Sequence, residues 1–319
     1  MLKLKKSLAC LVAMLLVLGM VACSKSGDSS KVSSSSAKNA SEQKKTVTVT
    51  TSFLADLVKQ LAQDKVNIEL LIPAGGDPHL YTPKPEDKTK LKNGDLVLYH
   101  GLHFEGKMVE LLEKVGVAVS ENFPKDKIGY MDEDGQQVVD PHFWFDISLY
   151  KLAAQTVATN LEKLLPEDKE IASNLEQYLQ KLDDLDKYVR EQIAQIPEQS
   201  RILITPHDAF NYFARSYNLK VHAPQGVSTD SEVSTQNVLE TVDLIVKNKV
   251  KAIFTESTTD PKRMDKLRQD CKSKGFEVKV VTGEDNELFS DSLAPEGHPG
   301  DNYIDMYRHN IDLIVNNLK

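Results

Sequence analysis

The stretch EDKEIASNLEQYLQKLDDLDKYVREQIAQI (residues 167–196) holds no glycine, no proline and no strand-like run. Its apolar side chains Ile171, Leu175, Tyr178, Leu182, Leu185, Val189, Ile193 and Ile196 recur at steps of three and four. That spacing puts one apolar stripe on one helix, roughly 45 Å long at 1.5 Å per residue. The stripe is short for a coiled-coil partner, so the helix is expected to pack on folded parts of its own chain.

Those parts lie on either side. Before the stretch, strand-like runs at 46–50, 66–72, 95–100 and 117–120 alternate with helix-like runs at 52–63, 84–92, 105–116 and 146–165. After Pro197, strand-like runs at 201–205, 219–223, 250–256 and 276–282 alternate with helices, the last over 303–318. Repeated strand–helix units predict parallel sheets with helices on their faces. The turn signal DEDG (132–135) between two short extended pieces is the one break. The expected fold is α/β: an N-terminal lobe over 46–165, a linking helix over 166–197 and a C-terminal lobe over 198–319. Each lobe carries a parallel-type sheet flanked by helices.

The N-terminus indicates the compartment. Lys3, Lys5 and Lys6 precede an apolar run from Leu8 to Met20, followed by Val21-Ala22-Cys23. This is a secretory signal pattern over residues 1–22, too short for a stable membrane span. Cys23 reads as the lipid-modified first residue of a bacterial lipoprotein. Residues 23–45 are Ser/Lys-rich and bury no core, so they form a tether. The protein is expected outside the cytoplasm, lipid-anchored to the membrane of a Gram-positive-type cell surface. Cys10 leaves with the signal and Cys271 stands alone in a helical pattern, half-buried by expectation. No disulfide framework or thiolate metal site follows from this usage. A net charge of −8, with no basic patch interleaved with aromatics, argues against nucleic acid as a partner.

Three of the eight histidines directly follow a proline, in GGDPHLY (75–81), VVDPHFW (138–144) and ITPHDAF (204–210). His79, His142 and His207 each fall after an extended run, where open α/β sheets bind ligands. Proline fixes its own φ and extends the residue before it, so each imidazole leaves a stiff turn. A metal site gains from such aim, because ligands must arrive at about 2.0–2.1 Å with defined angles. Asp77 and Asp140 are candidates to orient the rings. A fourth ligand is expected from the second lobe. Glu284, Asp285, Glu287, Asp291, Glu296 and Asp301 all follow the last strand, and Glu256 ends another. Pattern alone leaves that choice open. His100 and His103 line or cover the cleft, and His222, His298 and His309 read as structural.

GGDPHLYTPKPEDKTKLKNGDLVLYHGLHFEGKM, VVDPHFWFDI, TPHDAFNYFARSYNL, FTESTTDP and the LFSDSL and GDNYIDMYRHNI segments, in this order, resemble the metal-specific solute-binding lipoproteins of bacterial ABC importers. The resemblance covers essentially all of 46–319. It implies metal ligation by His79, His142, His207 and, from LFSDSL, Asp291, in a cleft between two lobes joined by a rigid helix. It further implies a monomer that captures Mn²⁺, Zn²⁺ or Fe²⁺ as transported cargo and delivers it to a membrane permease and its ATPase. The chain lacks the His-rich loop of many zinc-dedicated members, and it has His207 where many manganese-dedicated members have Glu. It thus resembles the His₃Asp type. Two other readings are weaker. A zinc hydrolase needs an open water position, and four protein ligands fill a zinc shell. An adhesin of the same fold needs an adhesive surface that no segment announces.

Overall fold

β1 (Lys45–Val49) sits inside a four-stranded sheet of order β2-β1-β3-β4, with β2 at Val66–Leu70, β3 at Leu96–Tyr99 and β4 at Val117–Ala118. All pairs are parallel, with Val47 facing Ile68 on one side and Leu96 on the other. Val47, Thr48 and Val49 are all buried, as strands covered on both faces must be. The covering helices are α1 (Ser52–Ala62), α2 (Pro85–Asn93) and α3 (Val109–Val115). α1 buries Phe53, Leu54, Leu57, Val58 and Leu61, a helical period. α2 starts at Pro85, and Asp87 Oδ2 accepts the Lys84 amide at 2.7 Å. The computed structural model describes residues 44–319 except Asp134, so the signal segment and Cys23 lie outside the described residues.

The two short extended pieces are an antiparallel hairpin, β5 (Tyr130–Glu133) with β6 (Gln136–Val139). α4 (Ile147–Leu164) follows, capped by Asp146, whose Oδ1 accepts the Ser148 amide at 2.9 Å.

α5 runs from Glu170 to Ile193, shorter at each end than the expected span of 166–197. Asp168 Oδ1 accepts the Glu170 amide at 2.7 Å and caps the start, while Pro197 ends the continuation. Ile171, Tyr178, Leu182, Leu185, Val189 and Ile193 are buried as the stripe requires, against α1, α4 and the C-terminal helix α9 (Tyr303–Leu318).

The second set is β7 (Ile202–Ile204), α6 (Asn211–Tyr217), β8 (Lys220–His222), α7 (Thr235–Asn248), β9 (Ala252–Phe254), α8 (Lys262–Ser273) and β10 (Lys279–Val281). β7 pairs with β8 and β9 with β10, both parallel. These are two separate two-stranded sheets, with β7 lying near β9. One apolar core runs from Val47 and Phe53 through Trp144 and Leu182 to Phe210 and Tyr307. Cys271 is fully buried in a smaller core with Ile204, Ile253 and Leu267, rather than half-buried. Among the described residues no helix is long and apolar enough to cross a membrane.

Candidate metal centre

Each Asp-Pro-His triplet folds around its own carboxylate. Asp77 Oδ1 accepts the His79 amide at 2.9 Å, and Asp140 Oδ1 accepts the His142 amide at 3.0 Å. These are Asx turns, in which a short acceptor holds the backbone two residues on. Beyond that the triplets differ. Asp140 Oδ1 also accepts His142 Nδ1 at 2.8 Å, which fixes Nδ1 as the donor and turns Nε2 towards the other candidates. Asp77 does not touch the His79 ring; its Oδ2 accepts from Thr229 Oγ1 at 2.6 Å. The expected orienting role therefore holds for Asp140 and not for Asp77.

His207 leaves β7 through Thr205 and Pro206, and Thr205 Oγ1 donates to the His207 carbonyl at 2.9 Å. Its Nδ1 bonds Glu256 Oε2, which also accepts from Ser290 Oγ at 3.1 Å. Glu256, at the exit of β9, is thus the partner that aims His207.

The four candidates converge. His79, His142, His207 and Asp291 each offer one ligand atom, and these lie within 4.8 Å of one another. His79 Nε2 is 3.4 Å from His142 Nε2. Asp291 Oδ1 is 3.3 Å from His142 Nε2, and Oδ2 is 3.1 Å from His207 Nε2 and 3.9 Å from His79 Nε2. Ligands about 2.1 Å from one tetrahedral ion stand about 3.4 Å apart, so these spacings suit a single ion. Both Asp291 oxygens and His207 Nε2 are buried with no hydrogen-bond partner among the described residues. Buried acceptors facing one another are costly unless a proton or a cation joins them.

The electrostatics point the same way. Burial pushes His79 down to about 3, against the opposing pull of Asp291. Burial also opposes charge on His142, but Asp140 and Asp291 outweigh it and push it up to about 9. His207 is likewise raised, with Glu256 and Asp291 overcoming burial. Asp291 is held well below the usual carboxylate range, because His207 and His142 outweigh its burial. Protons on His142 and His207 thus answer the Asp291 charge in the place where a divalent cation would do so.

The other acidic candidates stay outside. Asp285 and Glu296 are exposed, and Asp301 Oδ2 accepts the Gly297 amide at 2.8 Å. His100 is buried beside the centre but bonds Thr51 Oγ1 at 2.7 Å and packs on Phe104 and Trp144. His103 and His298 are exposed, while His222 and His309 bond Thr241 Oγ1 and the Glu287 carbonyl. Two supporting residues were not legible in the sequence. Trp144 packs edge-on against His142 and donates Nε1–H to the Ser290 carbonyl at 2.9 Å, fixing the Asp291 loop. Ser290 in turn holds Glu256. Trp144 follows His142 by two residues, but its bond to the Ser290 carbonyl spans 146 residues and has no local signal. A surface cleft of about 780 Å³ beside α1, β2 and α5 is lined by none of the four candidates.

The sequence matches the family described as zinc-uptake complex component A, periplasmic (ZnuA), over residues 47–317. It is 38% identical to the manganese-binding lipoprotein MntA of Bacillus subtilis over 290 residues, 89% of this chain and 93% of that one. It is 40% identical to the zinc-binding protein TroA of Treponema pallidum over 282 residues, 86% and 89% of the two chains. The solved structure of that TroA superposes with a TM-score of 0.81, over 86% of this chain and 99% of its own. Another solved TroA reaches a TM-score of 0.85 at 60% identity, over 86% of this chain and 100% of its own. With this match over 47–317, and with the fold and the four converging side chains, the chain belongs to the ZnuA family of periplasmic metal-binding proteins.

Proposed function

We propose that this chain captures a divalent transition metal ion with His79, His142, His207 and Asp291 and delivers it to the permease of an ABC importer. The observation that carries the reading is Asp291: a fully buried carboxylate whose oxygens face three imidazole nitrogens at 3.1–3.9 Å. The names of MntA and TroA support the same cargo class, Mn²⁺ or Zn²⁺. Three imidazoles and one carboxylate suit either ion, and the general affinity order favours Zn²⁺. Delivery of Mn²⁺ would then rest on its availability and on a bidentate Asp291 that raises the coordination number above four.

The mechanism divides the ligands two and two. His79 and His142 belong to the 46–165 lobe, and His207 and Asp291 to the 198–319 lobe. Parting the lobes on the permease breaks the set and frees the ion, and the ATPase supplies the work. α5 spans both lobes and keeps that movement small. Lipid on Cys23 holds the protein, as a monomer, at the outer face of the membrane. Four protein ligands fill a zinc shell, which disfavours hydrolysis, since a hydrolytic zinc keeps a water position open.

The test is elemental analysis of protein from its native host, with competition between Mn²⁺ and Zn²⁺ in vitro. One bound equivalent in the parent and none in Asp291→Ala is the expected result. Full binding by Asp291→Ala would sink the ligand assignment.

A further inference from the structure

The β5–β6 hairpin interrupts a first half that is otherwise parallel, and it reaches residues of the second half. Glu133 Oε1, at the end of β5, accepts the amide of Val227 at 2.7 Å. Gly226 makes room for that carboxylate. A Cβ there would collide with Glu133 Oε1 and lie 2.6 Å from its Cδ. Gly226 is not in the left-handed region, so a side chain there would act by displacing the Glu133 carboxylate rather than by straining the backbone.

The same loop is held elsewhere. Thr229 Oγ1 donates to Asp77 Oδ2 at 2.6 Å, and the other oxygen of Asp77 accepts the His79 amide. At its near end Gln225 bridges to His207, and the Asp208 amide donates to the Gly226 carbonyl at 3.2 Å. The Gln225 side chain closes the loop on the carbonyls of Thr229 and Ser231, at 2.8 and 2.7 Å. Residues 225–231 therefore form a strap. It runs from the backbone of one candidate ligand, His207, to two carboxylates of the opposite half.

The strap borders a cavity of about 440 Å³ lined by His79, His103, Tyr130, Val139, Val227 and Ser228. His79 is 4% exposed, and the other three candidates are 0% exposed. Of the four candidates, only His79 lines this cavity and has any exposure.

We infer that Glu133 is a positioning residue for ion exchange: its bond to Val227 holds the strap across this vestibule and sets how fast a bound ion leaves. The inference rests on the metal-binding reading above. The test uses the mature protein loaded with Mn²⁺ or Zn²⁺ and mixed with excess chelator in a stopped-flow instrument. Glu133→Ala, which removes the acceptor, and Gly226→Ala, which displaces it, should each speed ion loss about ten-fold, the scale of one hydrogen bond to a charged group. The double variant should be no faster than either single one, because both break the same bond. Glu133→Gln keeps an Oε1 acceptor and should release at close to the parental rate. Hydrogen exchange at the Val227 amide, measured without metal, reports independently that the bond is lost in Glu133→Ala. Accelerated Val227 exchange with parental ion loss would overturn the inference, as would additive effects in the double variant. A parent that binds neither ion would instead overturn the reading of the centre, and the Val227 exchange result would stand apart from it.

Discussion

Asp140 Oδ1 binds His142 twice, at the amide (3.0 Å) and at ring Nδ1 (2.8 Å). One oxygen thus sets both the turn and the tautomer. Asp140→Asn keeps an acceptor for the amide but loses the charge that makes His142 Nε2 a strong donor to metal. Metal affinity should fall about ten- to hundred-fold, the usual scale for partners of this kind. A chelator-competition titration measures it. Parental affinity in Asp140→Asn would mean that the ring bond is only structural.

The raised imidazoles predict proton release. His142 is pushed up to about 9 and His207 is also raised, so both hold protons at pH 7 in the ion-free centre. A protonated imidazole cannot ligate, so binding must expel those protons. Affinity should therefore strengthen as pH rises from 6 towards 9, where His142 gives up its proton. His79, pushed down to about 3, adds nothing to this slope. Titration calorimetry of metal binding in two buffers of different ionisation enthalpy counts the protons. Equal heats in both buffers would contradict the charge state described for the centre.

The α5 stripe was legible because a helical period survives any tertiary context, and Leu182 and Val189 are buried as it demands. The Pro-His positions were legible because strand exits are where such sheets place ligands, and Glu256 follows the same rule. Asp291 was not separable by pattern from Glu284, Asp285 or Glu296, since only the chain's path tells a buried carboxylate from an exposed one. The resemblance, not spacing, picked it. Asp77 misled because an Asp-Pro-His triplet reads alike whether its carboxylate serves a ring or a backbone. Trp144, Ser290 and the 225–231 strap depend on partners 34 to 152 residues away, which no local period encodes.

Leu182 tests the shared core. It is fully buried on α5, in the cluster that also holds Phe53 of α1 and Ile311 of α9. Leu182→Ala should cost about 2–5 kcal/mol in denaturant unfolding, the range for a large cavity in a packed core. A single transition should remain, because one core spans both halves. Two separated transitions in the variant would show that the halves unfold independently.

Glu105 gives the clearest pH prediction for folding. It is fully buried, and Oε1 accepts from Thr50 Oγ1 at 2.9 Å and from the His100 amide at 2.6 Å. Its Oε2 has no partner among the described residues. Burial pushes the carboxyl from 4.5 up to about 7, with those hydrogen bonds opposing. A raised folded value means that the stabilisation is complete below pH 4.5 and is lost as pH rises through about 7. The loss reaches about 3 kcal/mol at high pH, from the shift and the energy per unit. Glu105→Gln keeps the Oε1 acceptor and places an uncharged amide at the orphaned position. The variant should therefore gain stability over the parent between pH 5 and pH 8, with the gain growing as pH rises. Melting temperatures of the metal-free proteins across that range measure the difference. A constant offset at every pH would show that Glu105 is ionised throughout, and the burial argument would fail.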